Sequence, residues 1–294
     1  MGAIVCELCG SNDVVKQDGF FVCQHCGTKY SLEEAKKMLG TVQIDNSNFV
    51  EKYLQNARRA KEKEDWEETE KYYNMVEAND PDNIEAIFYS AYGKAKASLT
   101  SDDIYKRQAI FNSLQKCISI VDDHYDPAKE AELKPVLEDI SRDIINLSNS
   151  SFVYTYSSDE GGITPERRGN SDMTFSLFVS LNDEFTSTVL NIINKFPKGT
   201  NGLDYLYEMA VKHYECIYNS GIKNYDLKRN AANRIQELHT LWHQYNPLHP
   251  IPSVQDKIEQ VNATEKSEKK QASAMGWLFI GIVAFFIIAA FTGG

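Results

Sequence analysis

The sequence predicts a mainly α-helical protein with a small metal-binding β-hairpin domain at its N-terminus and one apolar transmembrane helix at its C-terminus. Three observations support this prediction. Two Cys-x-x-Cys-Gly turns occur within the first 27 residues. Apolar residues recur at helical spacing between residues 48 and 246, and residues 274–292 contain no charged side chain.

Composition and charge restrict the class of protein. The 42% of residues that are hydrophobic suffice for a packed core. A net charge of −11 repels nucleic acid unless a local basic patch exists. The N-terminus has no basic region followed by a long apolar one, so no secretory signal is expected. In a reducing compartment, a cysteine cluster indicates a metal site rather than disulfides.

Four cysteines are the predicted metal ligands: Cys6, Cys9, Cys23 and Cys26. The two pairs are separated by 13 residues, a spacing typical of a tetrahedral four-thiolate zinc site. Four thiolates fill the coordination sphere of zinc and leave no position for water or substrate. We therefore expect one zinc ion with a structural role.

The residues around the cysteines predict a zinc ribbon over residues 1–40. Two β-prone runs flank Asp18-Gly19, which predicts a hairpin that brings the cysteine turns together. Gly10 and Gly27 follow the second cysteine of each pair, where a turn requires positive φ. A capping box at Ser31 then predicts a short helix that Gly40 closes.

Through the four cysteines, their glycines and the hairpin, residues 4–39 resemble the transcription-factor-IIB-type zinc ribbon. They are similar in particular to the version at the N-termini of many uncharacterised bacterial proteins. This resemblance implies an architecture of ribbon, tetratricopeptide-like helical region and C-terminal membrane anchor, and it implies no substrate. Ribbons of this type bind nucleic acid or protein. Residues 1–40 contain five acidic residues and four lysines, which argues against a strong phosphate-binding surface. The lysines are Lys16, Lys29, Lys36 and Lys37.

Residues 48–147 are predicted to form tetratricopeptide-like helical hairpins. When Pro81 is placed in the terminal proline position of such a repeat, four residues fall in its characteristic positions: Tyr53, Ala57, Thr69 and Tyr73. Asn56 and Ala60 depart from the pattern, because leucine and tyrosine are usual there.

One-faced helices are predicted to continue through residues 173–246, and together they predict a stack of helical hairpins. The apolar stripes are Phe111, Leu114, Ile118, Val121; Leu133, Leu137, Ile140, Ile144, Leu147; Phe178, Leu181, Phe185, Val189, Ile192; Leu203, Leu206, Ala210, His213, Ile217; and Ala231, Ile235, Leu238, Trp242, Tyr245. The polar segment 148–172 interrupts the pattern. It is predicted to be a loop. We interpret this loop as a plain insertion rather than as a binding loop.

Other groups of residues give no reason to predict an enzyme, and no catalytic residue is proposed. The pairs His213/Cys216 and His239/His243 have ligand-like spacing, but an axial offset of about 12 Å is expected to keep them apart. Cys117 and Cys216 are interpreted as isolated small apolar side chains. No phosphate-binding glycine loop, nucleophile elbow or kinase signature occurs in the sequence.

The C-terminal region predicts a membrane anchor. A polar connector helix is expected over residues 253–273, and the nineteen residues 274–292 would span about 28 Å as a helix. Three lysines lie on the N-terminal side of this segment: Lys266, Lys269 and Lys270. The positive-inside rule therefore predicts a single-pass protein with residues 1–273 in the cytoplasm.

Three functional hypotheses follow from these predictions, and the least favoured is an enzyme that uses the loop near Gly161. The first is a tail-anchored adaptor, or scaffold, that binds protein partners through the ribbon and the helical body. The alternative is a membrane-tethered regulator whose ribbon binds nucleic acid. The acidic net charge and the extended surface of a helical stack favour the adaptor. The expected partners are therefore proteins and, through the C-terminal helix, the lipid bilayer.

Overall fold

The computed structural model describes residues 5–17, 20–31, 34, 47–99, 103–157, 165–221 and 224–292. Side chains are described in these ranges at all positions except 47–48, 104, 150–157, 165–175, 279, 281 and 283–292. The chain forms two compact units, Met1–Lys52 and Tyr53–Gly294.

The N-terminal unit contains a three-stranded antiparallel sheet with the order β1-β2-β3. The strands are β1 (Val14–Gln17), β2 (Phe20–Cys23) and β3 (Lys29–Tyr30). Val14 pairs with Cys23 across β1 and β2, so the predicted hairpin is confirmed. The sequence did not predict β3. The predicted Asp18-Gly19 turn lies outside the described residues.

A very small core holds this sheet together. The buried residues of the cluster are Cys6, Cys23 and Tyr30, and only Val14 and Phe21 pack partly buried against them. Because two of the three buried residues are predicted zinc ligands, few apolar side chains remain to stabilise the fold. Domains this small usually require a metal ion or disulfides.

The described residues that follow the ribbon form nine α-helices and one short 3-10 helix (Pro127–Lys129). The helices are α1 (Ser47–Glu62), α2 (Trp66–Asn79), α3 (Ile84–Ser98), α4 (Ile104–His124), α5 (Glu130–Ser157), α6 (Pro165–Asn194), α7 (Asp204–Asn219), α8 (Tyr225–Tyr245) and α9 (Gln255–Thr292).

Local sequence sets the starts of several of these helices. The side chains of Asp65, Asn83 and Asn224 accept hydrogen bonds from backbone N–H groups three residues later. Each of these side chains satisfies a donor that has no partner within the helix. The turns between helical segments are therefore specified by the sequence as well as by packing.

Successive hairpins of the helical body stack in two layers. The contacts join α3 with α5 and α5 with α7 in one layer, and α4 with α6 in the other. Between α4 and α6, hydrogen bonds link residues at a nearly constant sequence separation: Gln115 with Glu184, Thr188 with Ile118, Asn191 with Asp122, and Lys195 with Tyr125. A constant separation means that α4 and α6 run parallel. This arrangement agrees with the predicted stack of helical hairpins.

The residues assigned to the tetratricopeptide-like positions include core residues of the first hairpins. Ala57, Thr69 and Tyr73 are fully buried. At Gly93, a Cβ atom in place of the glycine hydrogen would lie only 2.9 Å from the backbone nitrogen of Glu70, so α2 and α3 approach closely there. These observations confirm helical hairpins, whereas the relation to tetratricopeptide repeats stays a prediction.

The predicted apolar stripes form the core of the helical body, with three exceptions. Phe111, Phe178 and Phe185 are among the largest fully buried side chains. Leu133, Trp242 and Tyr245 are only partly buried. Trp242 and Tyr245 lie near the end of α8, where their rings contact Tyr207 of α7.

The prediction of a loop over residues 148–172 was wrong for most of that range. Helix α5 extends to Ser157, and α6 begins at Pro165. Polarity suggested a loop, but Ser148 is fully buried and its hydroxyl donates to the carbonyl oxygen of Ile144 at 2.9 Å. The Asn182 side chain donates to the same hydroxyl at 2.8 Å. Polar residues can occupy a packed helix when internal hydrogen bonds satisfy them.

Helix α9 contains the predicted anchor and, apart from residues 253 and 254, the predicted connector in one continuous helix. Arg229 of α8 bonds Glu265 of α9 at 2.7 Å, which fixes the connector to the body. Of the nineteen residues in the predicted span, seven have described side chains. Among the residues that the structure describes, no helix is both long and apolar enough to cross a membrane. The predicted transmembrane helix is therefore not confirmed.

Candidate metal centre

Each cysteine pair lies in a tight turn, and the two turns have the same backbone hydrogen bonds. In the first turn, the N–H of Cys6 donates to Ser11 at 2.8 Å and the N–H of Gly10 donates to Cys6 at 2.7 Å. The second turn repeats both bonds at 2.9 Å, from Cys23 to Thr28 and from Gly27 to Cys23. The two glycines have φ values of 73° and 78°. The predicted positive φ is confirmed at both, a conformation that costs glycine little.

The four predicted ligands come together between the two turns. The sulfur atoms of Cys6, Cys9, Cys23 and Cys26 all lie within 4.8 Å of one another. The Sγ atoms of Cys6 and Cys26 are 3.5 Å apart, and those of Cys9 and Cys23 are 3.6 Å apart. Tetrahedral zinc with bonds of about 2.3 Å requires sulfur–sulfur distances of about 3.8 Å. The donor set therefore fits one zinc ion.

The chemistry of this site is that of a closed structural centre. Four thiolates and one Zn²⁺ carry a net charge of −4 + 2 = −2, and all four coordination positions are filled by protein. Zinc in such a site supplies folding energy and offers no open position for a reacting water. Cys6 and Cys23 are buried, whereas Cys9 and Cys26 are exposed.

Two hydroxyl groups contact the sulfur atoms. The Tyr30 hydroxyl lies 3.0 Å from Cys6 Sγ, and the Thr28 hydroxyl lies 3.1 Å from Cys26 Sγ. The bond from Tyr30 lowers the pKa of the Cys6 thiol to about 6. The bond from Thr28 likewise lowers the pKa of the Cys26 thiol. Both contacts favour the thiolate form, which is the form that binds metal.

The predicted capping box is present after the second turn. The hydroxyl and the backbone N–H of Ser31 both donate to Glu34 Oε2 at 2.8 Å, and the N–H of Glu34 donates to the Ser31 hydroxyl at 3.2 Å. These reciprocal bonds are the usual start of a helix. The other residues of the predicted short helix, 32, 33 and 35–40, lie outside the described residues.

The second metal site that the histidine spacing could have suggested is not formed by the described residues. His213 is fully buried, and its ring contacts Asn182 and Ser141 at 2.7 and 3.0 Å. Cys216 instead contacts Asn149. In the described part of the chain, the four ribbon cysteines are the one group suited to hold a metal ion.

Sequence spacing did not predict the actual partner of His239. Its Nδ1 atom lies 2.8 Å from Nε2 of His249, because the segment after α8 folds back onto that helix. His243 bonds the carbonyl oxygen of His249 at 2.7 Å, and the His249 ring stacks on Trp242. These contacts hold the segment after α8 against the end of that helix. They do not bring three metal-ligating atoms together.

Comparison with known proteins supports the ribbon alone. The sequence model of one family, described as the zinc-finger of RNA-polymerase I-specific TFIIB, Rrn7, matches residues 3–31. This match contains all four cysteines and both glycines of the turns. Searches of curated proteins and of solved structures give no match to the chain. Residues 3–31 thus form a TFIIB-type zinc ribbon, and they make up about a tenth of the chain.

Proposed function

We propose that this protein is a non-enzymatic adaptor that binds protein partners through its zinc ribbon and its helical body. The observation that carries the proposal is the apolar surface of the ribbon. Leu8 is 76% exposed and Phe20 is 48% exposed, although the ribbon core is very small. Exposed apolar side chains on so small a domain favour a protein-binding surface.

The sheet of the ribbon exposes further apolar side chains on the face away from Cys23 and Phe21. Val15 pairs with Val22, and Gln17 pairs with Phe20. Because side chains alternate along a strand, these residues point away from the face that carries Cys23 and Phe21. Val15 is exposed, and Val22 is partly exposed. This face therefore offers apolar contact area together with one cation, Lys29, which pairs with Val22. Such a mixed surface suits a protein partner.

The helical body supports the same proposal. We propose that its stacked hairpins are tetratricopeptide-like, an architecture that presents long surfaces for binding other proteins. On α2, six side chains form an open helix face of mixed polar and apolar character: Glu67, Glu70, Lys71, Asn74, Met75 and Ala78. An open, mixed surface of this kind suits a peptide segment better than it suits an enclosed small molecule.

An exposed leucine on each unit allows a matched test of protein binding. We expect the full chain to capture a protein partner from cell extract, and Leu8→Ser to weaken that capture at least tenfold without loss of zinc. Leu248→Ser is the control, because Leu248 is 93% exposed on the helical body. Equal capture by Leu8→Ser and the wild-type chain would contradict a role for the ribbon surface.

The alternative function is a regulator whose ribbon binds nucleic acid, and the family description favours it. That description names a zinc-finger of an RNA-polymerase I-specific TFIIB. The acidic charge of this chain opposes the alternative. We expect the full chain to show no binding to DNA or RNA near physiological salt by fluorescence anisotropy. Submicromolar binding would favour the alternative if it is lost when the four lysines of the ribbon region are neutralised. These are Lys16, Lys29, Lys36 and Lys37.

We further propose that residues 274–292 hold the protein at a membrane, with residues 1–273 in the cytoplasm. The segment carries no charge, and its described large side chains are exposed: Met275, Trp277, Leu278, Ile280 and Ile282. Apolar side chains that the described elements leave exposed suit a lipid surrounding. The three lysines before the segment favour a cytoplasmic body.

Fractionation tests this placement. We expect the full chain to remain with membranes after a high-salt wash, because salt screens charge attraction but does not weaken apolar burial. Deletion of residues 274–294 should release the protein into the soluble fraction. Neutralisation of Lys266, Lys269 and Lys270 is the control for simple electrostatic attachment, and it should leave membrane association intact. A truncated chain that still sediments with membranes would contradict the proposed anchor.

A further inference from the structure

The most unusual contact in the ribbon joins a tyrosine hydroxyl to a predicted zinc ligand. Tyr30 is 7% exposed, and its hydroxyl oxygen lies 3.0 Å from Cys6 Sγ. A zinc-bound thiolate has no proton, so the hydroxyl must be the donor of this hydrogen bond. The ring of Tyr30 lies in the same small core as Cys6 and Cys23. The hydroxyl is therefore both fixed in position and shielded from water.

We propose that Tyr30 is a positioning residue of the zinc centre, whose hydroxyl holds Cys6 in its ligating position and offsets part of the negative charge of its sulfur. The inference concerns the metal site and is independent of the proposed binding of protein partners.

The backbone explains why the hydroxyl reaches the sulfur. Strand β3 is only two residues long, and its Tyr30 pairs with Phe21 of β2. This pairing places Tyr30 on the face of the sheet that carries Cys23, while Lys29, paired with Val22, lies on the opposite face. One short strand thus directs the ring into the core and the hydroxyl to the first cysteine turn.

Charge explains why the contact is useful. The centre has a net charge of −2, and a buried charge is costly unless hydrogen bonds stabilise it. A hydroxyl donor to a sulfur spreads this charge without occupying a coordination position. Thr28 supplies a similar donor to Cys26, but Cys26 is exposed to water, which can replace that donor. The buried Cys6 has no such access to solvent, so we expect the Tyr30 hydroxyl to contribute more than the Thr28 hydroxyl.

The test compares Tyr30→Phe with the wild-type full chain in zinc competition against a chelator. Loss of the hydroxyl should weaken zinc binding about 10-fold or more, as is usual for residues that support a metal ligand. Thr28→Val should cause a smaller loss, because Cys26 is exposed. Phe21→Leu is the packing control, since Phe21 packs against the same core and pairs with Tyr30 but has no side-chain hydrogen-bond donor.

A spectroscopic measurement separates the hydrogen bond from simple packing. When cobalt(II) replaces zinc, removal of a donor to sulfur should move the sulfur-to-cobalt charge-transfer band to lower energy, because the thiolate becomes richer in electrons. We expect this shift in Tyr30→Phe and no shift in Phe21→Leu. Zinc affinity within twofold of wild type and an unchanged band in Tyr30→Phe would overturn the proposal. Equal band shifts in Tyr30→Phe and Phe21→Leu would also overturn it.

Discussion

Removal of zinc is expected to unfold the ribbon and to leave the helical body folded. The ribbon core consists of two ligand cysteines, Tyr30 and two partly buried residues, which is too little apolar burial to stabilise a fold by itself. Structural zinc in small domains contributes apparent binding energies of about 10–16 kcal/mol, so its loss should exceed the stability of the ribbon. The helical body has a core of its own that includes Phe111, Phe178 and Phe185.

Hydrogen exchange measures this outcome for each unit separately. In the presence of a strong chelator, the backbone amides of Cys6, Gly10, Cys23 and Gly27 should lose protection, because their hydrogen bonds depend on the two turns. Amides of α3 to α8 should keep theirs. Cys23→Ser should reproduce the loss without chelator. Cys117→Ser is the matched control, since Cys117 lies in α4, outside the cysteine cluster. Unchanged ribbon protection after chelation would contradict the expected dependence on zinc.

Mild acid should destabilise the helical body because His213 is buried as a neutral ring. Asn182 uses its amide to donate to Ser148 and Phe178, so its oxygen accepts from His213 Nδ1 at 2.7 Å. His213 Nε2 must then accept from the Ser141 hydroxyl at 3.0 Å. This pattern places one proton on the ring, and a second proton would put a positive charge in a fully buried site.

Burial lowers the pKa of His213 to about 3, whereas an unfolded histidine has a pKa of about 6.5. The contribution of the neutral ring to stability is complete above about pH 6.5 and decreases as the pH falls toward 3. Between these values the unfolded chain binds a proton that the folded chain does not. The free energy of unfolding should therefore decrease by about 1.4 kcal/mol per pH unit.

Denaturant unfolding at pH 7 and pH 5 measures this effect. We expect His213→Gln to lose most of the difference between the two pH values, because glutamine does not titrate and can still donate and accept within the network. His25→Gln is the control, since His25 is exposed in the ribbon, and it should keep the wild-type difference. The same pH dependence in His213→Gln and in wild type would show that other groups cause it.

Local patterns in the sequence were sufficient to predict the metal ligands, the hairpin and most of the helical core. The spacing of Cys6, Cys9, Cys23 and Cys26 reflects the geometry of one ion, so it can be recognised without any tertiary contact. The apolar stripes reflect the helical period. The hairpin follows from β-prone runs on both sides of Asp18-Gly19.

Tertiary contacts explain what the sequence did not predict. Strand β3 has two residues, which is too short to show an alternating pattern. The contact of Tyr30 with Cys6 joins residues that are 24 positions apart, and the contact of His213 with Ser141 joins residues that are 72 apart. Near residue 148, the polar sequence indicated a loop. The buried hydrogen-bond partner of Ser148, Asn182, lies on another helix, so the local sequence did not reveal it.

Metal analysis tests the central claim, that four cysteines hold one structural zinc ion, most directly. The full chain, purified without added metal, should contain one zinc per chain when measured by inductively coupled plasma mass spectrometry. Cys23→Ser should contain far less zinc, and Cys117→Ser should contain as much as wild type. A zinc content in Cys23→Ser equal to that of the wild-type chain would contradict the assignment of the ribbon cysteines as the ligands.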